Sequence, residues 1–307
     1  MLITVFTPTY NRAHLLERLH ESLCKQTFHD FEWVIVDDGS TDGTISLFQR
    51  NNNNNGNSVD SHCPTFNSQF SIPNSFKIRY FYQENGGKHR AINRGVKEAR
   101  GELFLILDSD DSLPPHSLET IDRYYQQIKD DTSFGGVCGY MAHHDGTVIG
   151  HGCNAPVLDI NTIVLRYKYL VLGDMLEVFR TSVMREYPFP EIEGEKFVPE
   201  TLVWNRIACK YKLRVFHEVV YFRDYIDGGL TDKIIKIRMN SPVASMMTYA
   251  ELNGYPIPVA SKVKAAINYW RFRFCSNAKE KPKLEWWYCW TMPLGYLMHL
   301  RDKLKVE

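Results

Sequence analysis

No charge of one sign predominates in these 307 residues: 36 Lys and Arg stand against 36 Asp and Glu. A general nucleic-acid binder, which needs a basic excess to displace counterions, is excluded, although a small local anion site is not. Cysteine pairs at metal or redox spacing are missing. The seven cysteines are scattered between Cys24 and Cys289 with no Cys-x-x-Cys among them. Neither a disulfide framework nor a structural zinc site is indicated, and the expectation is reduced thiols in a cytoplasmic protein. No run reaches the ~18 apolar residues of a membrane span. The opening MLITVFTPTYNRAHLL lacks the basic start and apolar core of a secretory signal. The glycine-rich fingerprint of dinucleotide-binding folds and the Gly-Lys phosphate loop of ATPases are both absent, so hydride transfer and ATP hydrolysis have no motif behind them.

What is present reads as an ordinary globular chain, 44% hydrophobic and 23% charged. Its first part alternates short β-rich runs with helical periods. Strands are expected over residues 2–6 (LITVF), 33–36 (WVIV), 77–82 and 103–107 (LFLIL). Between them, Asn11 is placed to cap a helix carrying Leu15, Leu16, Leu19 and Leu23. Asp42 is placed to cap one carrying Ile45, Leu47 and Phe48, and Gly86-Gly87 opens one with Ala91, Ile92, Val96 and Ala99. Such alternation predicts an α/β fold with a mostly parallel sheet flanked by helices. Residues 51–75 (NNNNNGNS and a polar continuation) read as a low-complexity surface insertion, whose His62 and Cys63 are assigned no chemistry. Beyond residue 133 come a strand over 134–141, a hairpin at His144-Asp145-Gly146, extended segments over 176–180 and 213–222, and a helix over 200–211. From residue 231 onward the pattern is helical. The expected division is a catalytic domain over 1–230 and a helical, aromatic-rich extension over 231–307.

The informative feature is where the carboxylates fall. Two predicted strands run straight into acidic clusters, VIVDDGSTDGT (residues 34–44) and LFLILDSDDS (residues 103–112). In a parallel sheet the strand C-termini share one edge, where ligands bind. Both clusters should therefore meet in one cleft. Crowded carboxylates are costly without a cation, and a hard divalent ion that shares its coordination with substrate phosphates resolves that cost. Helix capping and turn formation account for Asp42 and Asp111 but poorly for the rest. Lys88, His89 and Arg90 follow Gly86-Gly87 at a helix start, a setting suited to a diphosphate.

Taken together, these residues resemble the family 2 glycosyltransferases of the GT-A fold, a Rossmann-like architecture, over roughly the first 225 residues. The blocks that carry the resemblance are TPTYN (7–11), QTFHDFEWVIVDDGSTDGT (26–44), ENGGKHRAINRGVKEARGE (84–102) and LDSDD (107–111). The resemblance implies a nucleotide-diphosphate-sugar donor, a UDP-sugar most often, and a glycan or lipid-linked acceptor. It also implies a divalent Mn or Mg cation and inversion at the anomeric carbon. Residue by residue, it implies that Pro8, Thr9 and Tyr10 line the nucleoside pocket and that Asp38 hydrogen-bonds the base with Asp37 beside it. Lys88 faces the nucleotide. In the DxD element Asp108 meets the ribose or sugar, Asp110 contacts metal and diphosphate, and Asp111 supports the metal. The catalytic base falls to Glu200 in KFVPETLVWNRIA, where Pro199 starts a helix, with Glu195 and Asp174 as rivals. Asp174 and Glu177 suit a structural or acceptor-pocket role, and Arg223 and Asp227 would close over the diphosphate.

Two competing functions stand beside this reading. One is a nucleotide-sugar-binding protein without turnover. The other is a nucleotidyltransferase, which would need a Gly-rich, basic activating loop that TPTYNRAHLL does not supply. Residues 263–274 and 284–300 combine aromatics with basic flanks. They read either as a peripheral contact with the inner membrane face or as a surface packed on the catalytic domain or on a second copy in a homodimer.

Overall fold

The computed structural model describes residues 1–48, 76–151, 155–223 and 230–306. The expected insertion with His62 and Cys63, and Asp227, lie outside the described residues. The chain forms two compact units. The first comprises Met1–Ile160, Val171–Pro188 and Lys210–Asp224; the second comprises Asn161–Leu170, Phe189–Cys209 and Tyr225–Glu307.

The first unit is built on an eight-stranded sheet in the order β3-β2-β1-β4-β7-β5-β8-β6. Its strands are β1 (Ile3–Thr9), β2 (Phe31–Asp38), β3 (Lys77–Gln83), β4 (Leu103–Ile106), β5 (Phe134–Ala142), β6 (Val157–Ile160), β7 (Met175–Arg180) and β8 (Lys212–Phe222). The pairs β1–β2, β1–β4, β2–β3 and β5–β8 are parallel. The pairs β4–β7, β5–β7 and β6–β8 are antiparallel. The parallel half is the part that alternates with helices in sequence, as long crossovers require.

Every residue of β1 and β2 is buried. Covering both faces of the sheet removes any need for polar alternation in these strands. The helices α1 (Ala13–Cys24), α2 (Lys88–Glu98) and α3 (Ser117–Gln126) turn apolar faces inward, through Leu16, Leu19 and Leu23 in the first and Leu118, Ile121 and Tyr125 in the third. Where α2 meets β1 the approach is close enough to need glycine. A Cβ on Gly95 would lie 2.2 Å from Cε2 of Phe6. Phe6 itself stacks on Phe104 of β4, with ring centroids 5.1 Å apart. Charge is also buried between strands. Glu32, wholly inaccessible in β2, accepts from Thr4 Oγ1 (2.8 Å) and the Arg100 N–H (2.8 Å) and pairs with Arg79 (3.3 Å), which in turn reaches Glu98.

Two local expectations are corrected. Asn11 does not cap α1, because it sits at φ +52° and turns its side-chain oxygen to the N–H groups of Thr41 (2.7 Å) and Asp42 (3.3 Å). The N-cap position falls to Arg12. The helix expected after Asp42 is a single 3-10 turn, Ile45–Leu47. Asp42 spends its carboxylate on Thr44 and on the Ala13 N–H at the start of α1, tying the β2 loop to its neighbour. The short helix α5 (Thr181–Glu186) completes the unit.

The second unit is helical. It contains α4 (Thr162–Tyr167), α6 (Glu200–Ala208), α7 (Leu230–Asn240), α8 (Pro242–Gly254), α9 (Val259–Arg273), a 3-10 segment at Trp286–Thr291 and α10 (Met292–Val306). Ile163, Ala208 and Ile257 form one small core, and Met246, Tyr269 and Phe272 another. Among the described residues no helix is long and apolar enough to cross a membrane.

Candidate active site

The C-terminal ends of β1, β2, β3 and β4 share one edge of the sheet, because these four strands are mutually parallel. Each sends a loop across that edge, and the loops are tied together by side chains that the strand ends present. At the end of β2, Asp37 is inaccessible and accepts from the Ser40 N–H (2.8 Å) and the Tyr80 hydroxyl (2.6 Å). Burial and the nearby Asp37 carboxylate hold the Tyr80 phenol well above its usual range.

Asp38 is likewise buried. Its Oδ1 accepts from Gln83 Nε2 (2.8 Å) and the Gly86 N–H (2.9 Å), and its Oδ2 accepts from Asn85 Nδ2 (3.1 Å) and the Gly87 N–H (2.7 Å). A carboxylate has about four acceptor sites, and all are taken. Asp38, expected to hydrogen-bond the base, here accepts from protein donors, and the Gly86 and Gly87 N–H groups donate to it. The bonds fix the entry to α2, where Gly87 sits at φ +98°, a conformation glycine adopts without strain. Gly39, at φ +87°, is needed for a second reason: a Cβ there would lie 2.7 Å from the Asn85 backbone nitrogen.

That entry aims Lys88 across the edge. Its ammonium lies 2.7 Å from Asp108 Oδ1, at the end of β4. Asp110 is paired with Arg12 at 2.8 Å, and its backbone carbonyl accepts from Arg18 on α1. Both acids are partly open to solvent, Asp108 at 33% and Asp110 at 26%. Asp111 turns inward. Its Oδ2 accepts from the Tyr221 hydroxyl of β8 (2.6 Å), and that hydroxyl also accepts from the Asp108 N–H (3.1 Å). Burial, reinforced by the Asp108 and Asp110 carboxylates, pushes Asp111 up to about 7 despite the Tyr221 bond. Full burial, with Asp111 and Asp108 nearby, likewise drives the Tyr221 phenol well above its usual range. The two acidic clusters therefore do converge: Asp38 anchors Gly87, and the next residue reaches Asp108.

The fit of a divalent cation can be judged from the donors. Three carboxylates at one strand end are the hard oxygen ligands that Mg²⁺ and Mn²⁺ take. Asp111 Oδ1 is buried with no hydrogen-bond partner. An unsatisfied buried carboxylate oxygen is costly and is relieved by a positive partner. In the arrangement described, Lys88 and Arg12 supply the compensating charge, and among the described residues no group of three or more His, Cys, Asp or Glu is arranged to hold an ion. The donor chemistry fits; the ligand sphere is not assembled.

The remaining predicted residues fall as follows. Pro8 and Thr9 close β1 and are buried, with Thr9 Oγ1 unpartnered, while Tyr10 is half exposed. Asp174 is ion-paired with Arg223 within the first unit. Glu200 opens α6 in the second unit behind Pro199. Its rival Glu195, also in the second unit, is buried and accepts from the Val243 (2.7 Å) and Ala244 (2.9 Å) N–H groups at the start of α8. It is a helix cap, with its acidity weakened by burial. Sequence reasoning missed Arg12, Arg18 and Tyr221. Arg12 adjoins the TPTYN block and was within reach of that reading, but Tyr221 looks like any inward residue of an alternating strand.

The model of glycosyl transferase family 2 matches residues 4–143 of this chain. Among curated proteins, Glycosyltransferase GlyG of Streptococcus pneumoniae serotype 4 is 33% identical over 140 residues, 45% of this chain and 40% of that one. Chondroitin synthase of Pasteurella multocida is 30% identical over 159 residues, 50% of this chain and 14% of that one. The chain thus spans well under two thirds of the length of the curated relatives it matches. Among solved structures, S. aureus TarS 1-349 in complex with UDP-GlcNAc aligns with a TM-score of 0.58 at 18% identity, covering 89% of this chain and 73% of that one. The mannosyltransferase PcManGT from Pyrobaculum calidifontis, in complex with GDP-Man and Mn²⁺, aligns with a TM-score of 0.55 at 18% identity, covering 98% and 75%. At that identity the structures speak for the fold, which is the α/β sheet architecture of glycosyltransferases. The matched residues span the strands β1 to β5 and include all four motif blocks; over that segment the chain is similar to glycosyl transferase family 2.

Proposed function

We propose that this chain transfers a sugar from a nucleotide-diphosphate donor, a UDP-sugar in the first instance, to a hydroxyl of a glycan or lipid-linked acceptor, with inversion and with a divalent cation. The observation that carries the reading is the Asp38–Gly87–Lys88–Asp108 chain of contacts. It brings two acidic strand ends and a cation to one open sheet edge within the family-matched segment.

In this reading Pro8, Thr9 and Tyr10 line the nucleoside pocket, with the half-exposed Tyr10 as the open side chain among them. Asp37 and Asp38 act from behind by holding the β2 loop and the α2 entry still. Lys88 and Arg12 exchange their carboxylate partners for donor phosphates, which leaves Asp108 facing the ribose or sugar. Asp110 and Asp111 are the residues that would hold Mn²⁺ or Mg²⁺. Such an ion, when bound, offsets the charge that develops on the departing diphosphate.

The bond to the anomeric carbon breaks as the acceptor hydroxyl attacks from the opposite face, through a transition state with oxocarbenium character. Glu200 takes the hydroxyl proton as general base, an effect worth about 10²–10⁴-fold. A proline-started first helical turn at Glu200 supports this assignment. Incubating the chain with UDP-sugars and Mn²⁺, and following transfer or slow donor hydrolysis, tests the proposal. Turnover that is lost in Asp110→Ala supports it. Nucleotide binding with no turnover on any donor and acceptor would favour a binding protein.

A further inference from the structure

α10 is oriented the wrong way for a helix in water. The residues it buries are Gly295, His299 and Asp302. Gly295 is in close contact with α9, where a Cβ would lie 2.4 Å from the Trp270 Cβ. Asp302 is nearly inaccessible and is neutralised by Arg271 on α9, whose Nε and Nη2 both donate to its carboxylate. A surface helix normally buries its leucines and exposes its charges. Here Leu297, Leu300 and Leu304, spaced i, i+3, i+7, form an outward stripe, with Leu304 80% exposed. Arg271 and Asp302 lock this orientation, so rolling the leucines inward would break a buried ion pair, which is strongly unfavourable. Directly before α10, Trp286, Trp287 and Trp290 are exposed as well, Trp286 to 76%.

The charges around this apolar face identify what it meets. Residues 271–307 carry eight Lys and Arg against four Asp and Glu, an excess concentrated here in a chain that is neutral overall. At 100° per residue, Lys303 and Lys305 flank the leucine stripe on opposite sides, both exposed. A second copy would meet this patch with itself, since two-fold interfaces are isologous, and would set one basic rim against another. An anionic lipid surface complements both features. Tryptophans and leucines enter the headgroup–acyl boundary while lysines reach out to the phosphates.

We propose that the face formed by the Trp286–Thr291 segment and the outward stripe of α10 docks flat on an anionic lipid bilayer. The inference is independent of the sugar-transfer reading. In this proposal the face lies along the lipid surface.

The test is flotation of the full chain with vesicles of phosphatidylcholine alone or with phosphatidylglycerol, alongside tryptophan fluorescence with brominated acyl chains. The expected result is binding to the phosphatidylglycerol vesicles, weakened by salt, with fluorescence quenched by the bromines. Leu297→Glu with Leu300→Glu and Leu304→Glu should abolish flotation. Lys303→Gln with Lys305→Gln should weaken it by about thirtyfold, at about fivefold per basic residue. If the leucine variant does not fold, bromine quenching of the unaltered protein decides by itself. Absence of flotation and of quenching in the unaltered protein overturns the proposal. So does a dimer in sedimentation that the leucine changes dissociate while vesicles are ignored.

Discussion

Asp38 accepts four hydrogen bonds from protein donors, two of them backbone N–H groups of Gly86 and Gly87. Replacing it with Asn turns an acceptor into a donor facing other donors. Asp38→Asn is expected to lower stability by about 1–3 kcal/mol in urea titration, the cost of stranding a buried polar group. It should also weaken donor binding, because Lys88 is aimed from the loop that Asp38 holds. Tyr221→Phe is the matching case at β4. Its hydroxyl serves both Asp111 and the Asp108 N–H. Its loss should lower stability by a similar amount in urea titration and leave Asp111 Oδ2 without the Tyr221 hydrogen bond. An Asp111 carboxyl that titrated no differently after this change would show that the contact is unimportant. At this scale the sequence placed the acids at strand ends but did not show what they touch. Asp37 and Asp38 look alike at the end of a strand with two-residue alternation, and only the fold reveals that the glycines 48 and 49 positions later return to Asp38.

At the scale of elements, β2 carries a charge through the core. Glu32 has no solvent access and Arg79 very little. Removing one partner of such a pair leaves a stranded charge, so Glu32→Ala should cost about 3–5 kcal/mol by thermal or chemical unfolding. Glu32→Leu together with Arg79→Met should cost far less, because both charges leave at once. A double variant as unstable as the single one would contradict this account. The strands and the helices α1 and α2 were legible from periodicity. Apolar runs such as LFLIL can hardly be anything but covered strands, and the glycine pair before Lys88 marked a helix start correctly. What local pattern could not show was pairing direction. The segment of β7 reads as extended, but its antiparallel place between β4 and β5 depends on distant partners, Leu103↔Arg180 to β4 and Gly136↔Phe179 to β5 among them. Asn11 shows the other limit: a good capping residue was drawn away to the β2 loop, where two N–H groups needed an acceptor.

For the whole molecule, the four motif blocks in order were enough to read the fold and the likeness to glycosyl transferase family 2, because those blocks sit at strand ends that sequence patterns locate. Glu200 is different. It belongs to the helical unit, in a segment that packs with residues far along the chain, and no motif fixes it. Glu200→Gln is expected to lower turnover by about 10²–10⁴-fold while leaving donor affinity within a factor of about two, as loss of a general base does. Normal turnover in that variant would move the base elsewhere. Glu195 is a poor second choice, because both of its oxygens cap α8.

The central claim is that the sheet edge bearing Lys88, Asp108 and Asp110 binds a nucleotide sugar. Calorimetric titration of a UDP-sugar, with and without Mn²⁺, into the unaltered chain and into Asp110→Ala tests it most directly. The account predicts binding that Mn²⁺ strengthens in the unaltered chain, and an affinity at least about tenfold lower in Asp110→Ala with the Mn²⁺ effect gone. Equal affinities in the two proteins, with the same response to Mn²⁺, would contradict it.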